Sequence, residues 1–233
     1  MDMRPTLPDW LAQVAWTYIT FSLLSAALIA FDIYLSRRRH PRVSTELVWI
    51  TSGLYLGPFA VGFYLRHGRA DVTSRAAALG ATEHQRTVFA VLSGGGASAV
   101  AHLIAVPLVL AIGWTIAGMA MWPMIIVIFG LASALLVINE LASNGASSAQ
   151  SRRRISLGAA LVVGCITVAA FDIGMVGWML LLHFNDSMPE PKDVSFWFLM
   201  QLGVIAGLIT GYPAVRWLLR RDQTAFRPET SHT

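Results

Sequence analysis

The sequence holds one cysteine, one lysine and few charges of any kind, and each scarcity excludes a class of protein. A lone Cys165 cannot close an intramolecular disulfide, and without a second thiol there is no Cys pair to hold zinc or an iron–sulfur cluster. The single lysine, Lys192, sits in a polar stretch between apolar runs. That excludes a retinal protein, which needs an intramembrane lysine for its Schiff base. Charged residues are 13% of the 233, against roughly 25% in ordinary soluble domains, and hydrophobic residues are 55%, against roughly 45–50%. A soluble globular domain is thereby excluded, and no chain is left over for a separate enzymatic or nucleic-acid-binding domain. No P-loop, nucleophile elbow or paired-carboxylate metal motif is present.

What remains is apolar sequence in long runs. A helix needs ~20 mainly apolar residues to cross the ~30 Å hydrocarbon layer, because each residue rises ~1.5 Å and no backbone group can stay unpaired in lipid. Six stretches qualify, at about 12–34, 46–65, 88–111, 117–139, 156–183 and 195–217. The expected fold is therefore all-α, a polytopic membrane helix bundle of about six transmembrane helices in one domain over 1–233, with a short tail at 218–233. Thr87 to Asn139 carries no Lys, Arg, Asp or Glu and must fold as a hairpin turning between Gly113 and Pro123. The first residues, Asp2 and Asp9 around Arg4, lack the basic head of a secretory signal, so the first run is expected to be an uncleaved span.

The sixteen arginines gather in short loops, which reads as topology under the positive-inside rule rather than as a nucleic-acid surface. Six spans put both termini on one side with Arg66, Arg69, Arg75 and Arg86, with Arg152, Arg153 and Arg154, and with Arg220, Arg221 and Arg227. The opposite side holds Asp186, Glu190 and Asp193 around Lys192. Both termini are then expected to be cytoplasmic. Arg37, Arg38, Arg39 and Arg42 conflict with this, because six spans turn them outward.

Two blocks carry a family resemblance. One is Phe31-Asp32-Ile33-Tyr34 with Leu47-Val48-Trp49-Ile50 and Leu54-Tyr55-Leu56-Gly57-Pro58. The other runs from Phe171-Asp172-Ile173-Gly174-Met175-Val176-Gly177-Trp178-Met179 through Phe196-Trp197-Phe198-Leu199-Met200-Gln201 to Gly211-Tyr212-Pro213 and Arg220-Arg221. Over roughly residues 30–222 the chain resembles a bacterial family of small integral membrane proteins, domain of unknown function 4396. The resemblance implies a membrane fold and no established activity. Some relatives carry His and Cys in the third span and are loosely associated with copper. Here that stretch reads Ser93-Gly94-Gly95-Gly96-Ala97-Ser98-Ala99, without the thiolates that select copper(I).

Asp172 is the sharpest candidate, since an ionisable group at a helix centre costs ~2.5–3.5 kcal/mol and so tends to face a cavity or a partner. Counting ~1.5 Å per residue puts His102 and Gln201 at a similar depth, and Asp32 could extend the same polar layer. Two readings stand: these residues form a buried ion or proton site, or Asp172 is protonated or hydrogen-bonded and only fixes packing. Gly203, Gly207 and Gly211 form a ridge for close helix packing, within the chain or against a second copy, with Gly174 and Gly177 as facing surfaces. Pro213 is expected to kink or end the last span. Gly94, Gly95 and Gly96 allow either tight packing or an unwound stretch whose carbonyls line a cavity. A b-type haem is disfavoured, since His102 and His183 differ in depth.

The expected function is that of a non-enzymatic transporter or permease for an ion, metal or small solute. A structural or accessory subunit of a larger membrane complex is the alternative, and a membrane redox component a weaker one. No cofactor or metal is named by the sequence. The expected partners are the lipid bilayer and a second copy or a larger membrane complex, in a bacterial inner membrane.

Overall fold

The apolar stretches become helices because, in lipid, a helix pairs its backbone N–H and C=O groups within one segment. The computed structural model describes residues 7–40, 43–70, 82–145 and 157–224, with side chains over 7–40, 43–70, 82–138 and 165–221. Of the arginines read above, Arg4, Arg42, Arg75, Arg152, Arg153, Arg154 and Arg227 lie outside the described residues. In chain order come α1 (Trp10–Tyr34), α2 (Val43–Leu56), α3 (Pro58–Phe63), a π-helical turn (Tyr64–Gly68), α4 (Glu83–Ile112), α5 (Met121–Gly145), α6 (Leu157–Phe184) and α7 (Val194–Thr224). Five of these, α1 and α4 to α7, are long and apolar enough to cross a membrane. Their outward surface is apolar, with Ile173 and Ile209 each 71% exposed, which in water would be a liability and in lipid is a match.

Local chemistry sets the ends. Thr82 caps α4 by accepting from Gln85 N–H at 3.3 Å, while the Gln85 side chain accepts from Thr82 N–H at 3.0 Å. Gly113 closes the same helix at φ 69°, a left-handed conformation that costs glycine nothing. The expected hairpin turn follows between α4 and α5. At the other end of the chain, α7 runs on through Pro213 to Thr224 rather than ending at the proline.

The stretch expected as a second span, 46–65, is not one continuous helix. The chain reverses at Gly57, whose φ of 57° and ψ of −135° end α2 and start α3 at Pro58. Both legs return to one face: Glu46 at the start of α2 pairs with Arg39, and Arg69 just beyond the π-helical turn pairs with Asp32 at the end of α1. The tip meets Tyr18 and Ser22, partway along α1. This is a re-entrant pair, a hydrophobic hairpin that enters the bundle and leaves by the side it entered. It is apolar for the same reason a span is, so hydropathy does not separate the two.

The reversal changes the topology. The start of α1 packs beside the far end of α6 and the start of α7, through Leu11, Ala15, Leu182, Phe198 and Leu199. The other end of α7 lies with the start of α4, where Glu83 accepts from Arg216 and Arg220 at 2.9 and 2.8 Å. So α1 begins and α7 ends on opposite faces, where six crossings put both termini on one side. The conflict at Arg37–Arg39 disappears with it. These arginines share a face with Arg66, Arg69, Arg86, Arg220 and Arg221, while Asp186, Glu190 and Asp193 lie on the other.

Glycines let the spans approach closely. A Cβ on Gly207 would lie 3.0 Å from the Phe171 carbonyl oxygen, one on Gly211 2.5 Å from the Phe171 ring, and one on Gly203 3.1 Å from Trp178. The ridge is thus filled from within the chain, by α6. Gly174 joins this contact, its Cβ direction blocked by Thr210 and by the Ala206 carbonyl at 2.6 Å, but Gly177 meets nothing within 4 Å and is no part of it. A contrast follows for thermal unfolding in mild detergent. Gly174→Ala should lower stability by about 1–3 kcal/mol, as overpacking does, whereas Gly177→Ala should be neutral or raise it by up to ~1 kcal/mol through helix propensity. Equal effects at the two positions would mean that α6 and α7 are not packed this way.

The triple glycine is also packing. The α4 helix is unbroken through Gly94, Gly95 and Gly96, so the unwound stretch considered above is not present. Successive residues on a helix point ~100° apart, and each glycine admits a different neighbour. Gly94 receives the Phe171 ring, Gly95 the Tyr55 phenol and Leu208, and Gly96 Thr51. Their lost helix propensity is offset by contacts on three sides.

Candidate functional site

The break that the glycine triplet does not supply is at Gly57-Pro58. In a continuing helix the Leu54 carbonyl would accept from residue 58 and the Tyr55 carbonyl from residue 59. Pro58 has no N–H, and the reversal takes residue 59 away. Side chains take over. Gln201 on α7 donates Nε2–H to the Leu54 carbonyl at 2.7 Å, and Tyr18 on α1 donates its hydroxyl to the Tyr55 carbonyl at 2.8 Å. The Tyr55 hydroxyl in turn donates to the Leu92 carbonyl of α4 at 3.0 Å. The tip is thereby tied to three spans.

Beside the tip lies a cavity of about 470 Å³, in the range of small-molecule sites. Ser22, Tyr55, His102 and Gln201 are among the residues that line it, with Ile19, Leu54, Leu103, Met200 and Val204. Trp16, Leu23, Lys192 and Trp197 also line it. His102 Nδ1 lies 2.8 Å from the Ser98 carbonyl. A carbonyl only accepts, so Nδ1 holds the proton and Nε2 presents a lone pair. Gln201 Oε1 and Ser22 Oγ are buried without a hydrogen-bond partner.

Two of the four residues singled out from the sequence therefore meet. His102 and Gln201 line one cavity, as their depth along α4 and α7 implied. Asp172 does not line it and makes no hydrogen bond or ion pair among the described residues. Its neighbour Phe171 is driven between Gly94, Gly207 and Gly211, and the ~100° helical step turns position 172 away from that contact. Asp32 is on the arginine face, not in the cavity layer. It accepts from the Tyr64 hydroxyl at 2.9 Å and from Arg69 at 3.1 and 3.2 Å, with Arg38 at 3.9 Å. A second clamp lies beside it, where Glu46, fully buried, accepts from Arg39 at 2.7 Å and from the His40 backbone N–H at 2.9 Å. Burial holds the His40 imidazole below the usual histidine range, against the pull of Glu46 and the Gly68 carbonyl.

Ser22, Tyr18 and Tyr55 are site residues that sequence reasoning did not single out. For Tyr55 the signal was present: Gly57-Pro58 in the middle of an apolar run marks a turn. Ser22 and Tyr18 carried none, being ordinary residues of a spanning helix. Among the described residues no group of three or more His, Cys, Asp or Glu is placed to hold a metal ion.

Five helices long and apolar enough to cross a membrane, an apolar outer surface and a broken apolar hairpin beside a cavity are the features of a polytopic α-helical membrane protein. Residues 83–223, more than half of the chain, match the family model described as Domain of unknown function (DUF4396), and the chain belongs to that family. The match covers α4 to α7, so the cavity is built partly inside it, by His102 and Gln201, and partly outside it, by α1 and the re-entrant tip. No curated protein and no solved structure matches the chain.

Proposed function

We propose that this protein is a small permease, and that the cavity at the re-entrant tip is its solute site. One observation carries the reading: a cavity of ligand size ends on a helix break whose carbonyls are covered by side chains from two spanning helices. Non-helical backbone is tolerated at membrane depth only where protein or a cavity covers it, and transporters place their sites at such breaks. The positive-inside rule makes the arginine face cytoplasmic, so the start of α1 is external. A bacterial inner membrane is the setting this implies. Asp172 and Asp32 are given no part in binding. The accessory-subunit alternative loses its main support, since the glycine ridge is filled by α6.

The test is solute flux. Proteoliposomes holding the full chain are mixed with hyperosmotic glycerol, urea, methylammonium chloride or sodium acetate, and reswelling is followed by light scattering. At least one solute should enter faster than into protein-free vesicles. Ala99→Trp, or Leu103→Trp where the first variant is not monodisperse, fills the cavity and should abolish that excess. Flux equal to that of empty vesicles for all four solutes, or flux untouched by the fillers, overturns the permease reading.

A further inference from the structure

We infer that the face of α6 around Asp172 is the contact with a second copy of this chain, and that the two Asp172 carboxyl groups hydrogen-bond to each other across a two-fold axis. The inference goes beyond the permease reading and does not depend on it, because no residue of α5 or α6 lines the cavity. Asp172 stands fifteen residues after Leu157 and twelve before Phe184, ~22 and ~18 Å from the ends of a membrane-length helix at ~1.5 Å per residue. A side chain with one methylene cannot reach water or a headgroup over that distance. Nor does the chain itself supply a partner, since Asp172 makes no hydrogen bond or ion pair among the described residues. On the α5 side, Val168 and Met179 are buried with Met124, Ile128 and Ala132, all apolar, and the Ser133 hydroxyl of that helix is closed in without a partner. On the α7 side, the Thr210 hydroxyl donates to the Ala170 carbonyl at 3.0 Å. The carboxyl is left on a partly exposed stripe of α6 with Cys165, Ala169 and Val176, one or two turns away.

Whatever covers this carboxyl must bring hydrogen bonds of its own. Lipid tails offer neither donor nor acceptor, and an ionised carboxylate facing them is costly. A protonated carboxyl is its own complement: it holds one O–H donor and a C=O acceptor, so a second identical group satisfies both at once. A two-fold contact supplies that group with no further requirement, because a residue on the axis meets itself. Both copies are inserted in the same direction, so the axis runs along the membrane normal and like residues stay level. Ala169 and Val176, one turn to either side, then face their counterparts, and the alanine lets α6 approach α6 while the paired carboxyls join them.

Cross-linking in proteoliposomes tests the contact. Cys165 is changed to Ser and one thiol is introduced at a time, either Ala169→Cys on the inferred contact or Ile209→Cys on α7, an exposed position ~200° around the helix from the α6-facing Gly207. With the protein dilute in lipid, copper phenanthroline should convert about tenfold more of the Ala169→Cys protein than of the Ile209→Cys protein to a disulfide-linked dimer. Adding Asp172→Leu should lower the Ala169→Cys yield about tenfold. Asp172→Asn, whose amide also carries a donor and an acceptor, should keep that yield within about twofold. Each variant is checked for monodispersity beforehand. Equal yields at positions 169 and 209 overturn the inference, and they do so whether or not the Asp172 variants fold. A monodisperse Asp172→Leu that cross-links as well as its parent overturns it too, and an Asp172→Asn yield as low as that of Asp172→Leu overturns the hydrogen-bonded pair.

Discussion

Gly53→Leu is expected to remove the folded protein, with little or no monodisperse material in mild detergent and a stability loss of about 3 kcal/mol or more in whatever remains. A Cβ at position 53 would lie 2.6 Å from the Ala26 backbone nitrogen and 2.7 Å from its Cα. Overpacking costs about 1–3 kcal/mol where flexible side chains can yield, and more where they cannot. Here the obstacle is the backbone of a crossing helix, and moving it means moving α1. The damage spreads because α2 carries the tip. Pushing α2 off α1 parts Tyr18 from the Tyr55 carbonyl and Gly57 from Ser22, so the covered break becomes an uncovered one at membrane depth. Gly62→Leu is the control, since Gly62 lies on α3 with nothing within 4 Å of its Cβ position, and it should behave as wild type. A stable, monodisperse Gly53→Leu would show that α1 and α2 are not in this contact.

The crossing helices were legible in the sequence because crossing is a matter of length and hydropathy, which one chain displays directly. The run from Thr87 to Asn139 could only be a hairpin, and the turn falls at Gly113 as its residues suggest. Direction is different. Whether 46–65 crosses or returns depends on the backbone angles of Gly57, and both outcomes need the same apolar composition. The sequence did register the problem, as four arginines on the wrong side, and the re-entrant pair is what places Arg37, Arg38 and Arg39 with the others. Depth along a helix follows from a fixed rise, and His102 and Gln201, read at similar depths, line one cavity. Rotation about the helix does not follow from depth, and it takes Asp172 out of the cavity lining. At Gly94–Gly96 local propensity argued for a break, but packing against Phe171, Tyr55 and Thr51 prevailed.

Asp32 shows how an intramembrane-looking carboxylate can be structural, and Asp32→Ala should lower stability by about 3 kcal/mol. Its two oxygens join the end of α1 to the outgoing leg of the re-entrant pair, through the Tyr64 hydroxyl at 2.9 Å and Arg69 at 3.1 and 3.2 Å. Tyr64 is buried, packed edge-on against Trp49 with ring centroids 5.8 Å apart, and its hydroxyl loses this acceptor when the carboxylate is gone. A buried donor left unpaired costs about 1–3 kcal/mol. Arg38 and Arg69 add to this, since both guanidinium groups lie against the same carboxylate and lose its charge together. Asp32→Asn separates the contributions: it keeps an acceptor for Tyr64 but removes the charge, and should recover about half of the loss. Salt gives a further check. High ionic strength screens the attraction between the carboxylate and the two guanidinium groups and should narrow the gap between Asn and wild type, but it cannot replace the buried bond and should leave the gap between Ala and Asn open. Thermal unfolding of the three proteins in one detergent at low and high salt reads both gaps. Equal losses for Ala and Asn at all salt concentrations would mean that charge alone, not the Tyr64 bond, latches the re-entrant leg to α1.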